Sequence, residues 1–291
     1  MTLREALRKG TDILKSANIE APAVDAGVLL CHVIEKDRAY MYTHGEAMLE
    51  PAVEEEYMKM IGRRIQGQPV QYITGHQEFM GLEFRVNSHT LIPRADTETL
   101  VESVLKHAKE LSYTSDNVHI MDIGTGSGCI AVSLAYYCPQ CRVTAVDISS
   151  GALAVAGENS ERLGTSDRVE FIRSNLFEEL HNKPERINRF DAIVSNPPYI
   201  RKADINELQI EVREYEPIGA LDGGWDGLEF YRAITAGSSG FLKKGGLLAF
   251  EVGYDQAADV ANIMQHSFKD IYIVKDLSGI DRVVMGWLNK V

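Results

Sequence analysis

The sequence predicts an α/β protein: a doubly wound sheet, preceded by a small all-helical N-terminal domain and a β-hairpin linker. Three observations predict it. Before position 75, apolar residues recur at three- and four-residue steps; from 77 to 90 the period moves toward two; beyond about 91, short apolar runs alternate with amphipathic stretches. The boundaries read as 1–75 for the helical domain, 76–90 for the hairpin and 91–291 for the α/β domain.

The elements follow in order. Leu3, Leu7, Ile13 and Leu14 form a first apolar face, in a helix that Gly10 is expected to interrupt. Val28, Leu29, Leu30 and Val33 form a second. Val53, Tyr57, Met60, Ile61 and Ile65 form a third, behind Pro51, whose missing N–H costs nothing at a helix start. Stripes of this kind are the core of a helical bundle. Phe79, Leu82, Phe84 and Val86 then alternate with polar residues, and Met80-Gly81-Leu82 offers a hairpin turn. A helix is expected over Thr97 to Glu110, capped by Asp96 or Thr97. Strands follow near 119–123, 142–147, 169–173, 190–195 and 246–252, with helices between them. A last pair near 270–275 and 282–288 is joined by Leu277-Ser278-Gly279-Ile280, too short for a helical crossover, so one of these two strands is expected to run antiparallel.

Composition narrows the function. The chain has 291 residues, 45% of them hydrophobic and 25% charged, which suits one large α/β domain and a smaller one. It contains no apolar run near the roughly 18 to 20 residues that span a bilayer, and Met1-Thr2-Leu3-Arg4-Glu5 begins no signal-peptide core, so a cytoplasmic protein without a membrane partner is expected. A net charge of −12 argues against a large DNA-binding surface, which needs clustered Lys and Arg. Residues 1–75 hold 9 basic and 11 acidic groups, so most of the negative charge lies beyond them, where it would attract a basic protein partner. The oligomeric state is not encoded legibly; a monomer is the default. Cys138-Pro139-Gln140-Cys141 follows a predicted helix instead of starting one, and no second cysteine pair completes a metal site, so it reads as a loop closing a crossover.

Two constellations carry chemistry. The apolar run Ala192-Ile193-Val194 leads into Asn196-Pro197-Pro198-Tyr199. The two prolines fix φ and remove two backbone donors, which leaves carbonyls free to accept. Asn196 adds a side-chain carbonyl, and Tyr199 is expected to supply a flat stacking wall. Such a cup suits a planar –NH2 group, whose two hydrogens need two acceptors. The second constellation is the run Val118 to Ile123, then Gly124-Thr125-Gly126-Ser127-Gly128, then the apolar Cys129 to Ala135. Glycines in a strand-to-helix turn let a ligand approach the backbone and its N–H groups. About twenty residues on, Asp147 ends a second strand, where a carboxylate can take both ribose hydroxyls of a nucleoside. Asp147 read as a cap for a helix near Ser149-Ser150 is the plain alternative. Loop, acid and cup together point to S-adenosylmethionine and methyl transfer to a planar nitrogen, with no metal required.

These residues resemble those of the HemK/PrmC family. The likeness covers most of the chain, through Gln68-Pro69-Val70-Gln71-Tyr72-Ile73-Thr74-Gly75, Phe79-x-Gly81-Leu82-x-Phe84, Leu91-Ile92-Pro93-Arg94-Ala95-Asp96-Thr97-Glu98, Tyr215-Glu216-Pro217, Gly223-Gly224-x-Asp226-Gly227-Leu228-x-Phe230-Tyr231 and Asp281-Arg282-Val283, beside the loop and the cup. It departs at Ala95, where proline is usual, at Leu176, where some relatives carry tryptophan against the adenine, and at Asn175, where an acid is common. The resemblance implies a seven-stranded, Rossmann-like class I methyltransferase domain. It further implies S-adenosyl-L-methionine as cofactor, released as S-adenosyl-L-homocysteine, and the glutamine of the Gly-Gly-Gln loop in peptide chain release factors as substrate, gripped by the helical domain. Catalysis would then fall to Asn196, Pro197 and Tyr199, and substrate binding to Asn196 through Tyr199. The cofactor would lie on Gly124, Thr125, Gly126, Ser127, Gly128, Asp147, Asn175, Leu176 and Asn196. Arg94 and Glu98 read as pins for the loop and the helix start, Asn175 equally as a loop hydrogen bonder, and Gly223 to Gly227 as a shaped turn in which Trp225 packs. An adenine-amine methyltransferase of DNA or RNA shares the logic of the cup and is the alternative, weakened by the acidic charge. Methylation of a ribosomal-protein glutamine and a cofactor-binding scaffold without catalysis are the other two.

Overall fold

The computed structural model describes residues 1–112, 115 and 117–289. The helices α1 (Leu3–Ser16), α2 (Pro22–Ile34), α3 (Arg38–Thr43), α4 (Pro51–Ile65) and α5 (Val70–Thr74) come first, then the hairpin β1 (His76–Phe79) and β2 (Leu82–Arg85). Alternation follows: α6 (Asp96–Ser112), β3 (Val118–Ile123), α7 (Cys129–Tyr137), β4 (Cys141–Asp147), α8 (Ser150–Arg162), β5 (Val169–Arg173) and β6 (Phe190–Ser195). The chain closes with α9 (Ile210–Tyr215), α10 (Glu229–Ser238), β7 (Leu242–Glu251), α11 (Ala257–Met264), β8 (Phe268–Lys275) and β9 (Asp281–Leu288). Contacts divide it into two compact units, Met1–His76 with Gln209–Tyr215, and Gln77–Leu208 with Glu216–Val291.

The first unit is the helical bundle that the apolar stripes predict, with two corrections. Gly10 does not interrupt α1. It is buried inside it, and a Cβ there would collide with the Tyr57 hydroxyl, so the glycine admits the α4 tyrosine between the helices. The α4 stripe also ends early: Ile65 is 43% exposed, and the buried place beside it belongs to Arg64. Its Nε donates to Asp25 at 2.7 Å and its Nη2 to Glu211 of α9 at 2.8 Å. A buried cation held by two carboxylates is tolerated only because both are present; loss of one partner costs about 3–5 kcal/mol. Through Glu211, α9 therefore belongs to this unit, a return that a linear division of the sequence does not contain.

In the second unit the turn is Met80-Gly81, with φ of 55° and 71°. Both angles positive is the two-residue turn whose twist matches a hairpin. Met80 is costly there, and its N–H is compensated by a 2.7 Å bond to the Glu98 carboxylate. The main sheet runs β5-β4-β3-β6-β7-β9-β8. β9 is antiparallel to both neighbours, while β5 to β7 pair in parallel. One layer of core takes Ile120, Ala192, Val194 and Leu247; the other takes Met121, Ile123, Ile193 and Leu248. With both faces covered, the parallel strands read as unbroken apolar runs instead of alternating ones. Cys138 and Cys141 fall in the turn between α7 and β4, as the loop reading expects, and the two sulfurs are paired, which it does not. Among the described residues no helix is long and apolar enough to cross a membrane.

Candidate active site

Strand order reverses between β3 and β6, and a parallel sheet opens a crevice beyond its carboxyl ends at that point. Register makes the crevice sharp: Ile123 pairs with both Val146 and Ser195, so three loops leave the sheet at one level. The first is the glycine loop. Gly124 and Gly126 take φ of 75° and 56°, and a Cβ on either would meet no protein atom within 4 Å. Both line a cavity of about 430 Å³. Gly128, in contrast, is a packing glycine at the N-terminus of α7, where a Cβ would lie 3.2 Å from the backbone of Ala156 in α8. Thr125 and Ser127 are buried beneath the loop and do not line the cavity. Thr125 instead donates to Asp122 Oδ2 at 2.6 Å. Burial pushes the Asp122 carboxyl up to about 7, against that hydrogen bond and with the help of the nearby Asp147 charge.

Asp147 stands on the cavity wall. Its Oδ2 accepts from Gly126 N and its Oδ1 from Ser149 N, both at 2.9 Å. The cap of α8 is Ser149, which accepts from Ala152 N, so Asp147 is not the capping residue. Each carboxylate oxygen keeps a lone pair for a further donor such as a ribose hydroxyl. Asn175 and Leu176 line the same cavity. Asn175 Nδ2 is bonded to Glu178 Oε1 at 2.9 Å, the loop bond of the plainer reading, and Leu176 holds a φ of 49° with its side chain against the core.

Asn196, Pro197 and Pro198 close the cavity on the β6 side. The Asn196 Nδ2 donates to Thr97 Oγ1 at 3.2 Å, which leaves Oδ1 as the free acceptor of the carboxamide. Tyr199 departs from expectation. It does not line the cavity; its ring packs on the core layer that holds Tyr231 and Phe250, and burial pushes its hydroxyl up to about 12. Its carbonyl is held by Gln256 Nε2 at 3.0 Å. The turn at Gly223 supports this backbone so closely that a Cβ on Gly223 would lie 2.7 Å from Tyr199 Cα. Trp225 in that turn does not pack, contrary to the sequence reading. It is 89% exposed, because positive φ at Gly224 and Gly227 and the Arg232 clamp on Asp226 hold the turn without it.

Several wall residues were not legible. Ser88, His89 and Thr90 line the cavity although the sequence assigns them to the linker, and Ile148 joins them; Leu91, Pro217 and Phe230, which the resemblance names only as motif residues without a role, also line it. Ile148 is the one with a signal: it is an apolar residue directly after the strand-ending acid, and it is 63% exposed. Beneath the cup lies a second layer that the sequence did not suggest. Glu251, at the end of β7, is 1% exposed. Burial raises its carboxyl to about 7, opposed by hydrogen bonding from Thr97, the charge of Arg282 and hydrogen bonding from Asn196. Arg282 is itself held by Asp96 at 3.0 Å and Asp276 at 3.2 Å. Arg94, read as a pin, is one: it pairs with the buried Glu216 at 2.5 Å.

Known proteins place this site in a family. A PrmC N-terminal domain model matches residues 5–75, and a methyltransferase small domain model matches 95–212. The release factor glutamine methyltransferase of Clostridium acetobutylicum is 42% identical over 287 residues, covering 98% of each chain. That of Moorella thermoacetica is 42% identical over 290 residues, covering 99% of each. The chain belongs to the release factor glutamine methyltransferase (HemK/PrmC) family. It is thus a methyltransferase. At the level of fold, the human methyltransferase 10 domain containing protein superposes with a TM-score of 0.51 at 19% identity, covering 72% of this chain and 89% of that one.

Proposed function

We propose that this methyltransferase uses S-adenosyl-L-methionine to methylate the side-chain amide nitrogen (N5) of the glutamine in the Gly-Gly-Gln loop of peptide chain release factors. One observation carries the reading: Asn196, Pro197 and Pro198 line the same cavity as Gly124, Gly126 and Asp147. The residues fit the cofactor, since the empty space over Gly124 and Gly126 is a cradle that a side chain would fill and Asp147 offers acceptors at its edge. When bound, S-adenosylmethionine supplies an electrophilic methyl group on a sulfonium centre.

The chain's own task is to present the nucleophile. An amide nitrogen is poor because its lone pair is delocalised. The free Asn196 Oδ1 and the Pro197 carbonyl accept its two hydrogens, fix the plane of the amide and turn its face to the methyl. Those bonds strengthen as positive charge grows on nitrogen, which favours the transition state over the ground state, and orientation contributes the rest. The proton leaves after transfer, to solvent or to a carbonyl, so no strong base is needed. The helical unit, 1–75 by sequence, is the part assigned to gripping the factor, in the cytoplasm where translation factors work.

The test offers labelled cofactor to purified release factor, to the same factor with alanine in place of the Gly-Gly-Gln glutamine, and to duplex DNA. Label in the intact factor alone is expected. Label in DNA but not in the factor contradicts the proposal.

A further inference from the structure

The stretch between β2 and α6 is tied down at two places. At its start, Arg85 N donates to Oδ1 of the buried Asn159 in α8 at 2.7 Å, and Asn159 Nδ2 donates to Arg85 O at 3.0 Å and to Ser127 O at 2.9 Å. One carboxamide therefore joins the end of β2 to α8 and to the glycine loop. Further on, Asn87 Oδ1 accepts from His89 N at 2.9 Å, Asn87 O accepts from Thr90 N at 3.0 Å, and Thr90 is buried. The backbone of His89 is fixed between these anchors, and His89 lines the cavity. Its ring lies on the first turn of α8, where a Cβ added to Gly151 would fall 2.7 Å from His89 Cγ and 2.9 Å from Nδ1. Gly151 has no positive φ that calls for glycine, and it does not line the cavity itself. What it supplies is room for the imidazole.

That turn of α8 follows directly on Asp147. Asp147 Oδ1 accepts from Ser149 N, and Asp147, Ile148, Ser149 and Ala152 line the cavity on either side of Gly151 in sequence. The imidazole of His89 is thereby placed at the Asp147 end of the cavity. Its ring nitrogens have no hydrogen-bond partner among the described residues. A carboxylate only accepts hydrogen bonds, whereas an imidazole brings a donor as well, and a nucleoside carries groups of both kinds. We propose that His89 is a cofactor-binding residue, seated by Gly151, which hydrogen-bonds the nucleoside half of S-adenosylmethionine beside Asp147. The inference rests on the cofactor named above and gives the segment after the hairpin a part in holding it.

The test measures, by titration calorimetry on the full chain, the Kd of S-adenosylhomocysteine and of methylthioadenosine, which keeps the nucleoside and lacks the amino-acid end. His89→Ala is expected to weaken both ligands by the same factor, about fivefold or more, the net worth of one hydrogen bond. Gly151→Ala, which keeps His89 but fills its seat, is expected to weaken them alike. The double variant is expected to bind no worse than His89→Ala, because the two residues act as one unit. His89 is exposed and can swing aside, and alanine suits a helix better than glycine, so Gly151→Ala is expected to keep the wild-type melting temperature. Unchanged affinity in His89→Ala, a loss confined to S-adenosylhomocysteine, or a double variant weaker than both single ones overturns the inference while the proposed function stands. A wild-type protein that binds neither ligand overturns the cofactor and the inference together.

Discussion

At the scale of the residue, the chemistry gathers on side chains whose environments can be named. Asn196→Ala removes the one side-chain acceptor of the cup while leaving Gly124, Gly126 and Asp147 in place. Turnover is expected to vanish while cofactor affinity, measured by titration calorimetry, stays within about tenfold, or about 1.4 kcal/mol. Glu251 gives a prediction in pH. Its carboxyl holds its proton to about 7 when folded, against an ordinary 4.5. Between those values the folded protein binds a proton that the unfolded chain has released, so this contribution to stability is full below about 4.5 and lost as pH rises to 7. Glu251→Gln has no such slope, and its melting temperature is expected to gain on wild type as pH is raised across that window. Asp122 shares the slope, but it is present in both proteins and cancels. The sequence made Asn196 and Asp147 legible because each ends a strand in a short, composed motif. It left Glu251 unmarked and offered Thr97 only as a motif residue or a helix cap, because the Thr97 bond to Asn196 spans 99 residues of chain.

At the scale of the element, glycine is where sequence and structure inform each other most. Gly124 and Gly126 are identical in type to Gly128, yet two face a cavity and one faces a helix. Gly126→Ala would put a methyl group where a ligand belongs and strain a φ of 56°. Cofactor binding is expected to weaken by about tenfold or more, with far-UV circular dichroism unchanged. Gly10 was misread for a physical reason. Helix propensity disfavours it by about 1 kcal/mol, but the Tyr57 ring occupies the space a methyl would need. Gly10→Ala gains that propensity and loses more, through overpacking of about 1–3 kcal/mol and disturbance of the Tyr57 bond to Ala26 O, worth about 1 kcal/mol. A net destabilisation of about 2 kcal/mol is expected in denaturant unfolding. Periodicity identified the helices themselves because they are amphipathic; it carried Ile65 inward because a stripe cannot show that Asp25 and Glu211 would make Arg64 the better buried residue.

At the scale of the whole molecule, the order β5-β4-β3-β6-β7-β9-β8 turns distant motifs into neighbours. Alternation of elements is written in the sequence, and the short final connection foretold an antiparallel strand. The return of Gln209–Tyr215 to the helical unit was not, since a short polar helix leaves no periodic trace. The wall at Ser88 to Thr90 was hidden likewise, in a stretch that reads as plain linker. The central claim is that one cavity joins a cofactor to an amide held by Asn196. Mass spectrometry of a release factor after incubation with cofactor and enzyme tests it most directly. The account predicts the mass of one methyl group on the Gly-Gly-Gln glutamine with wild type and none with Asn196→Ala; methyl on another residue, or equal methylation by the variant, would contradict it.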